Sequence, residues 1–149
     1  MVDVVVGFEA TRAFASFEDP ELRSRSNRLA RLNSEFMNLC TRLRALHTFT
    51  GRLNAADSDT ASFLKPQCLA LAGLIAVRGD VSCLDETYVN RRVQKIMKFR
   101  SDFLSEADCA RKSIEGHVSD SELLNFDTTA ELLYEFASEY IRYAQTYVS

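Results

Sequence analysis

Leu29-Ala30-Arg31-Leu32-Asn33-Ser34-Glu35-Phe36-Met37-Asn38-Leu39-Cys40-Thr41-Arg42-Leu43-Arg44-Ala45-Leu46 is the most regularly patterned stretch of the chain. Its large apolar residues, Leu29, Leu32, Phe36, Leu39, Leu43 and Leu46, recur at steps of 3, 4, 3, 4 and 3. A helix places residues at that spacing on one continuous seam, whereas a strand would scatter them over both faces. Leu22 and Leu53 prolong the seam, and Asp19-Pro20 supplies an N-cap acceptor followed by a residue already fixed at a helical φ. The pattern predicts a helix from Pro20 to about Arg52, some 50 Å long at 1.5 Å per residue. That length outreaches a domain of 149 residues, so the helix must lie against several shorter ones or against a partner chain. Such a seam is commonly the inside of an intramolecular bundle. The helix length tilts the expectation towards self-association through Leu29, Leu32, Phe36, Leu39, Leu43 and Leu46.

Working outward, the rest of the chain also reads as helix. Phe8 to Phe17 predicts a short first helix. Phe63 to Val77 is apolar on nearly every face and is expected to be the central buried helix, with Pro66 near its first turn, where a missing N–H costs little. Ser82 with Asp85, Ser105 with Asp108, Ser119 with Glu122 and Thr128 with Glu131 each look like a helix start. Gly79 and Gly116 suit C-terminal stops. The expected fold is all-α: six or seven helices around one long heptad-patterned helix, as a single helical domain over 1–149. Division into two small helical subdomains, 1–80 and 81–149, is the alternative. Only 5 Gly and 2 Pro leave little material for the many turns of a β-rich fold.

Composition narrows the function classes. At 46% hydrophobic residues the chain can bury a substantial core. No apolar run approaches the roughly 20 residues that span a bilayer, and Met1 to Val6 lacks the basic start of a secretory signal. A soluble cytoplasmic protein with no membrane contact is expected. Cys40, Cys68, Cys83 and Cys109 are irregularly spaced and far from His47 and His117, so neither a metal nor another cofactor is expected. No phosphate-binding loop, dinucleotide fingerprint, nucleophile elbow or zinc-protease motif occurs. Asp57-Ser58-Asp59 lacks the rest of a calcium loop and reads as helix capping. The chain is expected to bind rather than to catalyse.

Charge is unevenly placed. Between Pro20 and Arg52 lie Arg23, Arg25, Arg28, Arg31, Arg42, Arg44 and Arg52 against Glu21 and Glu35, and between Asn90 and Arg100 lie Arg91, Arg92, Lys95, Lys98 and Arg100 with no acid. Residues 101–149 carry ten acids and three bases. On a helix, Arg91, Lys95 and Lys98 fall on one face with Arg92 beside them. A cationic stripe backed by an apolar one suits a phosphate backbone. The same charges could instead pair with the acidic C-terminal third, and charge alone does not separate the two.

Four stretches resemble the small helical RNA-silencing suppressors of closteroviruses: Ser34-Glu35-Phe36-Met37-Asn38-Leu39, Phe63-Leu64-Lys65-Pro66, Arg91-Arg92-Val93-Gln94-Lys95 and Ser121-Glu122-Leu123-Leu124-Asn125-Phe126. They run in the same order over roughly residues 20 to 145, in a chain that is shorter and ends more acidic than those suppressors. The resemblance implies a viral protein in the host cytoplasm, assembling as a homo-oligomeric ring that sequesters small interfering RNA duplexes without reading sequence. Arg91, Arg92, Lys95, Lys98, Arg100, Arg28 and Arg31 are then the expected RNA contacts, since A-form RNA is held through phosphates and shape. A helical protein–protein adaptor or viral structural subunit with no nucleic-acid role is the alternative.

Overall fold

The computed structural model describes residues 20–55, 59–76 and 85–149, and among them every regular element is an α-helix. Four helices follow one another: α1 (Pro20–Ala55), α2 (Asp59–Ile75), α3 (Glu86–Ile114) and α4 (Asp120–Val148). The expected helix over Phe8 to Phe17 lies outside the described residues.

Helix α1 begins at Pro20, the expected first helical residue, and runs unbroken through the heptad seam; Asp19, the expected N-cap, lies outside the described residues. Helix α3 starts behind Asp85, whose carboxylate accepts from the Tyr88 N–H at 2.7 Å. Ser119 opens α4 with a full capping box: its hydroxyl accepts the Glu122 N–H, and the Glu122 carboxylate accepts the Ser119 N–H. Between α3 and α4 the chain reverses at Gly116, whose φ of +83° is a left-handed conformation that glycine adopts without a Cβ penalty.

Two expected starts are not starts. Ser105 and Asp108 sit exposed in mid-α3, and Thr128 lies inside α4. No Gly or Pro interrupts 86–114 or 120–148, so a helix already under way has no reason to stop at a residue that could also have capped one. This lowers six or seven helices to four among the described residues. Helix α2 begins at Asp59 rather than Phe63, which puts Pro66 in its interior. Nor is α2 the central helix: Leu64 and Leu71 are buried, but Leu69 is 74% exposed.

The centre is α4, which packs against all three other helices. Phe126, Thr129, Leu133, Phe136, Ala137, Ile141 and Ala144 are buried along it, a stripe broad enough to face several neighbours. Helix α1 lies antiparallel to α4, joined by Phe36 against Tyr143 (centroids 6.0 Å apart) and the Arg42–Glu135 ion pair. Helix α3 lies antiparallel on another side, tied by Arg111 to Asp127 at 2.8 Å and by Arg100 to the Ser138 hydroxyl at 3.1 Å. Helix α2 closes the bundle through Phe63, which meets Phe103 of α3 and Phe126 of α4 at 6.2 and 5.9 Å.

The core yields one paired prediction. Leu133 is fully buried, and Thr129 one turn before it is equally buried with a hydroxyl that finds no hydrogen-bond partner. Leu133→Ala should cost about 2–5 kcal/mol of stability in urea unfolding, through lost burial and the cavity left behind. Thr129→Val, of the same shape without the unsatisfied oxygen, should leave stability unchanged or raise it. A Thr129→Val protein that unfolds as easily as Leu133→Ala would show that the hydroxyl has a role in the core.

Candidate functional site

The cationic run of α3 does not form one stripe. Arg91 and Lys95 are exposed, and Lys98 is exposed and pairs with Asp102 of its own helix at 3.5 Å. Arg100 turns inward to Ser138 and lies over the Tyr134 ring at 5.7 Å. Of the α1 arginines, Arg31 is exposed, whereas Arg28 donates to the Tyr147 carbonyl at the end of α4 at 2.7 Å. The run does not pair with Glu131, Glu135 or Glu139 either. Glu135 takes Arg42, and Glu139 takes Arg142.

Arg92 leaves the run altogether. Its two terminal nitrogens donate to the carbonyls of Ile75 and Ala76, the last turn of α2, and its guanidinium stands 5.0 Å from the Tyr88 ring centroid. Helix α2 has no basic residue in its last turn. Arg92 therefore supplies from α3 the cation and the donors that a helix C-terminus calls for. A cation over an aromatic face adds a further attraction.

The self-association residues are divided in the same way. Leu46 is buried, Leu39 packs on the core, and Leu32 and Phe36 are half-buried, so much of the seam is covered within the chain by α4. Leu29 and Leu43 sit at its rim, 40% and 52% exposed.

Beside Arg92 the bundle opens. Tyr88, Val89 and Arg92 of α3 and Tyr140, Tyr143, Ala144 and Tyr147 of α4 enclose a cleft of about 200 Å³. Of the lining residues Val89 and Ala144 are buried, and Tyr147 is 41% exposed. Shallower grooves continue past Tyr143 and Tyr147 towards Leu29, Leu32 and Arg28 of α1. Burial, with Tyr140, Tyr147 and Cys40 nearby, raises the Tyr143 phenol above the ordinary tyrosine value. The sequence analysis did not single out this cleft, because its residues come from two helices 52 residues apart along the chain from Tyr88 to Tyr140. The available signal was the 3-4 spacing of Tyr140, Tyr143 and Tyr147, with tyrosine where a sealed core would take phenylalanine.

Two predictions follow from this geometry. Arg92→Ala leaves two helix-end carbonyls without their donor and should lower stability by about 1–3 kcal/mol, whereas Lys95→Ala, three residues on, should stay within about 0.5 kcal/mol. Equal melts for the two variants would remove the capping role. The second prediction concerns alkali. Tyr143 holds its proton longer in the folded chain than in the unfolded one, so its contribution is complete below the ordinary value of 10.0 and is lost as pH rises through the higher native one. Cys68, raised by burial from 9.0, adds a slope of the same sign. Chemical unfolding across that window should become easier with pH, and Tyr143→Phe should flatten the part above 10.0.

The family model described as the fusaric acid resistance protein family, FUSC, matches residues 1–149. The fusaric acid resistance protein FusC of Burkholderia cepacia is 40% identical over 148 residues, which are 97% of this chain and 42% of that protein. The chain thus spans under half the length of the curated relative it matches. No solved structure matches it. These matches overturn the resemblance to closterovirus suppressors, and with it viral origin, RNA sequestration, the RNA duplex as partner and the homo-oligomeric ring. The viral structural subunit falls on the same ground. Four- to six-residue patches of Leu, Phe and Arg recur in any amphipathic helix, whereas identity sustained along a whole chain does not arise from helical patterning. The chain belongs to the FUSC fusaric acid resistance protein family.

Proposed function

We propose that this chain is a helical, water-facing part of a fusaric acid resistance system, and that it acts by binding rather than by chemically transforming the acid. The observation that carries this is the 40% identity to FusC across 97% of the chain. The chain corresponds to 42% of that relative, and among the described residues no helix is long and apolar enough to cross a membrane. In this proposal any passage across the bilayer belongs to the remaining part of such a protein, and these helices work beside it in water. The absence from the sequence of nucleophile, nucleotide-binding and zinc-hydrolase motifs supports export over degradation. Fusaric acid, a pyridine carboxylic acid with a butyl tail, needs no covalent change to lose its effect if its concentration inside the cell is kept low.

The test is a chimera in which this chain replaces the matching region of FusC in a bacterium sensitive to fusaric acid. Growth in the presence of the acid should match that given by FusC itself, and chromatography of the culture should recover the acid intact. A chimera that gives no tolerance would overturn the role in resistance. Tolerance accompanied by conversion of the acid to a product would overturn the non-catalytic mechanism.

A further inference from the structure

We infer that the tyrosine-lined cleft between α3 and α4 is a binding site for a small planar aromatic monocarboxylate. The inference rests on the proposed role in fusaric acid resistance and goes further by assigning the site and the way it recognises its ligand.

The charge at the cleft is the first observation. Arg92 lines it, and both hydrogen-bond partners of its guanidinium are neutral carbonyls, those of Ile75 and Ala76. Among the described residues no aspartate or glutamate lines the cleft. A guanidinium has five N–H donors in a fixed fork, so two carbonyls leave N–H groups for another acceptor. The wall accordingly holds a cation with no acidic partner among the described residues. A carboxylate matches that fork in geometry as well as in sign.

The tyrosines are the second observation. Tyr88, Tyr140, Tyr143 and Tyr147 all border the cleft, and none of their hydroxyls hydrogen-bonds to a protein group among the described residues. Open to solvent around one opening, the four present ring surface for stacking together with hydroxyl donors for a bound polar edge. The volume, about 200 Å³, falls below the roughly 300–1,000 Å³ of sites for drug-sized ligands and accommodates a single-ring molecule. One cation and apolar walls disfavour a phosphate ester, which carries more charge than Arg92 balances.

The 149-residue chain contains five tyrosines and no tryptophan, so its intrinsic fluorescence reports chiefly on this cleft. Titration with fusaric acid, followed by calorimetry and tyrosine fluorescence, should show saturable one-site binding. Its methyl ester, lacking the charge, and hexanoate, lacking the ring, should each bind at least tenfold more weakly. Arg92→Gln, which keeps an amide donor for the α2 carbonyls but removes the charge, should weaken binding tenfold or more. Ala144→Leu, which adds bulk to the cleft lining and leaves Arg92 unchanged, should do the same and keeps the test valid if Arg92→Gln unfolds. Lys95→Gln, on the exposed side of α3, should bind as the parent does. No binding up to millimolar acid, or binding that survives in a folded Ala144→Leu variant, would overturn the site. A chimera that confers tolerance while the chain fails to bind would refute this inference alone. A chimera that confers none refutes the role in resistance, whatever the cleft binds.

Discussion

Helix α4 has to bury side chains towards three neighbours at once, and the arrangement of the bundle follows from how it does so. Large residues, Phe126, Leu133, Phe136 and Ile141, alternate along it with small ones, Thr129, Ala137 and Ala144, all buried. The small positions admit neighbouring side chains and the large ones fill the spaces between helices, which is how a bundle core reaches the density of a solid. Helix α1 depends on this most. Its contacts are nearly all with α4 and few with α2, so the seam that makes it a helix is covered chiefly by α4, where Phe36 meets Tyr143. Arg42–Glu135 and Arg111–Asp127 flank the packing, but each pair is about one-third or more exposed. Ion pairs at such exposure contribute little stability. They fix register along α4, while the apolar stripe supplies the energy.

The two ends of the bundle differ in chemistry. Where α2, α3 and the start of α4 converge, Phe63, Phe99, Phe103 and Phe126 meet ring to ring, with Phe103 and Phe126 almost fully buried. Where the start of α3 meets the end of α4, the aromatic residues are Tyr88, Tyr140, Tyr143 and Tyr147, and the bundle stays open. Phenylalanine has no polar atom and can be sealed from water. Tyrosine sealed in the same way would strand its hydroxyl, so a tyrosine cluster is stable where water or a ligand reaches it. Position along α4 thus separates a closed, structural end from an open end able to bind.

What could be read from the sequence divides along the same line between local and tertiary effects. The α1 seam, the Asp19-Pro20 start and the Ser119–Glu122 box were legible because each depends on residues within one or two turns. The continuity of α3 past Ser105 and of α4 past Thr128 was not. A capping residue shows where a helix can begin, and whether it does begin there depends on whether an earlier helix has already passed through. The prominence of α2 was misjudged because an apolar segment can be half-exposed when its neighbours cover one side, as Leu69 shows. The cationic run misled for a related reason. Five cations close in sequence diverge at 100° per residue, and Arg92 and Arg100 follow the inward directions to carbonyls and to Ser138. The cleft joins Tyr88 to Tyr140, Tyr143 and Tyr147 across the α3–α4 reversal, a juxtaposition that no local pattern encodes.

Arg92 links the structural and the binding roles of the open end, and its chemistry explains why arginine stands there. A planar fork can reach the carbonyls of two consecutive residues, Ile75 and Ala76, while its central carbon stands 5.0 Å from the Tyr88 ring centroid and the side chain lines the cleft. A lysine ammonium, a compact and strongly hydrated point charge, could satisfy the carbonyls but would not present a flat surface to the ring or a second donor edge to the opening. The groups around Arg92 offset its charge only with partial charges: the negative end of the α2 dipole and the face of the Tyr88 ring. Neither amounts to a full counter-ion. In a chain whose formal net charge is −3, Arg92 thus stands at the cleft with no acidic partner among the described residues, held in place because the same side chain also ties α2 to α3.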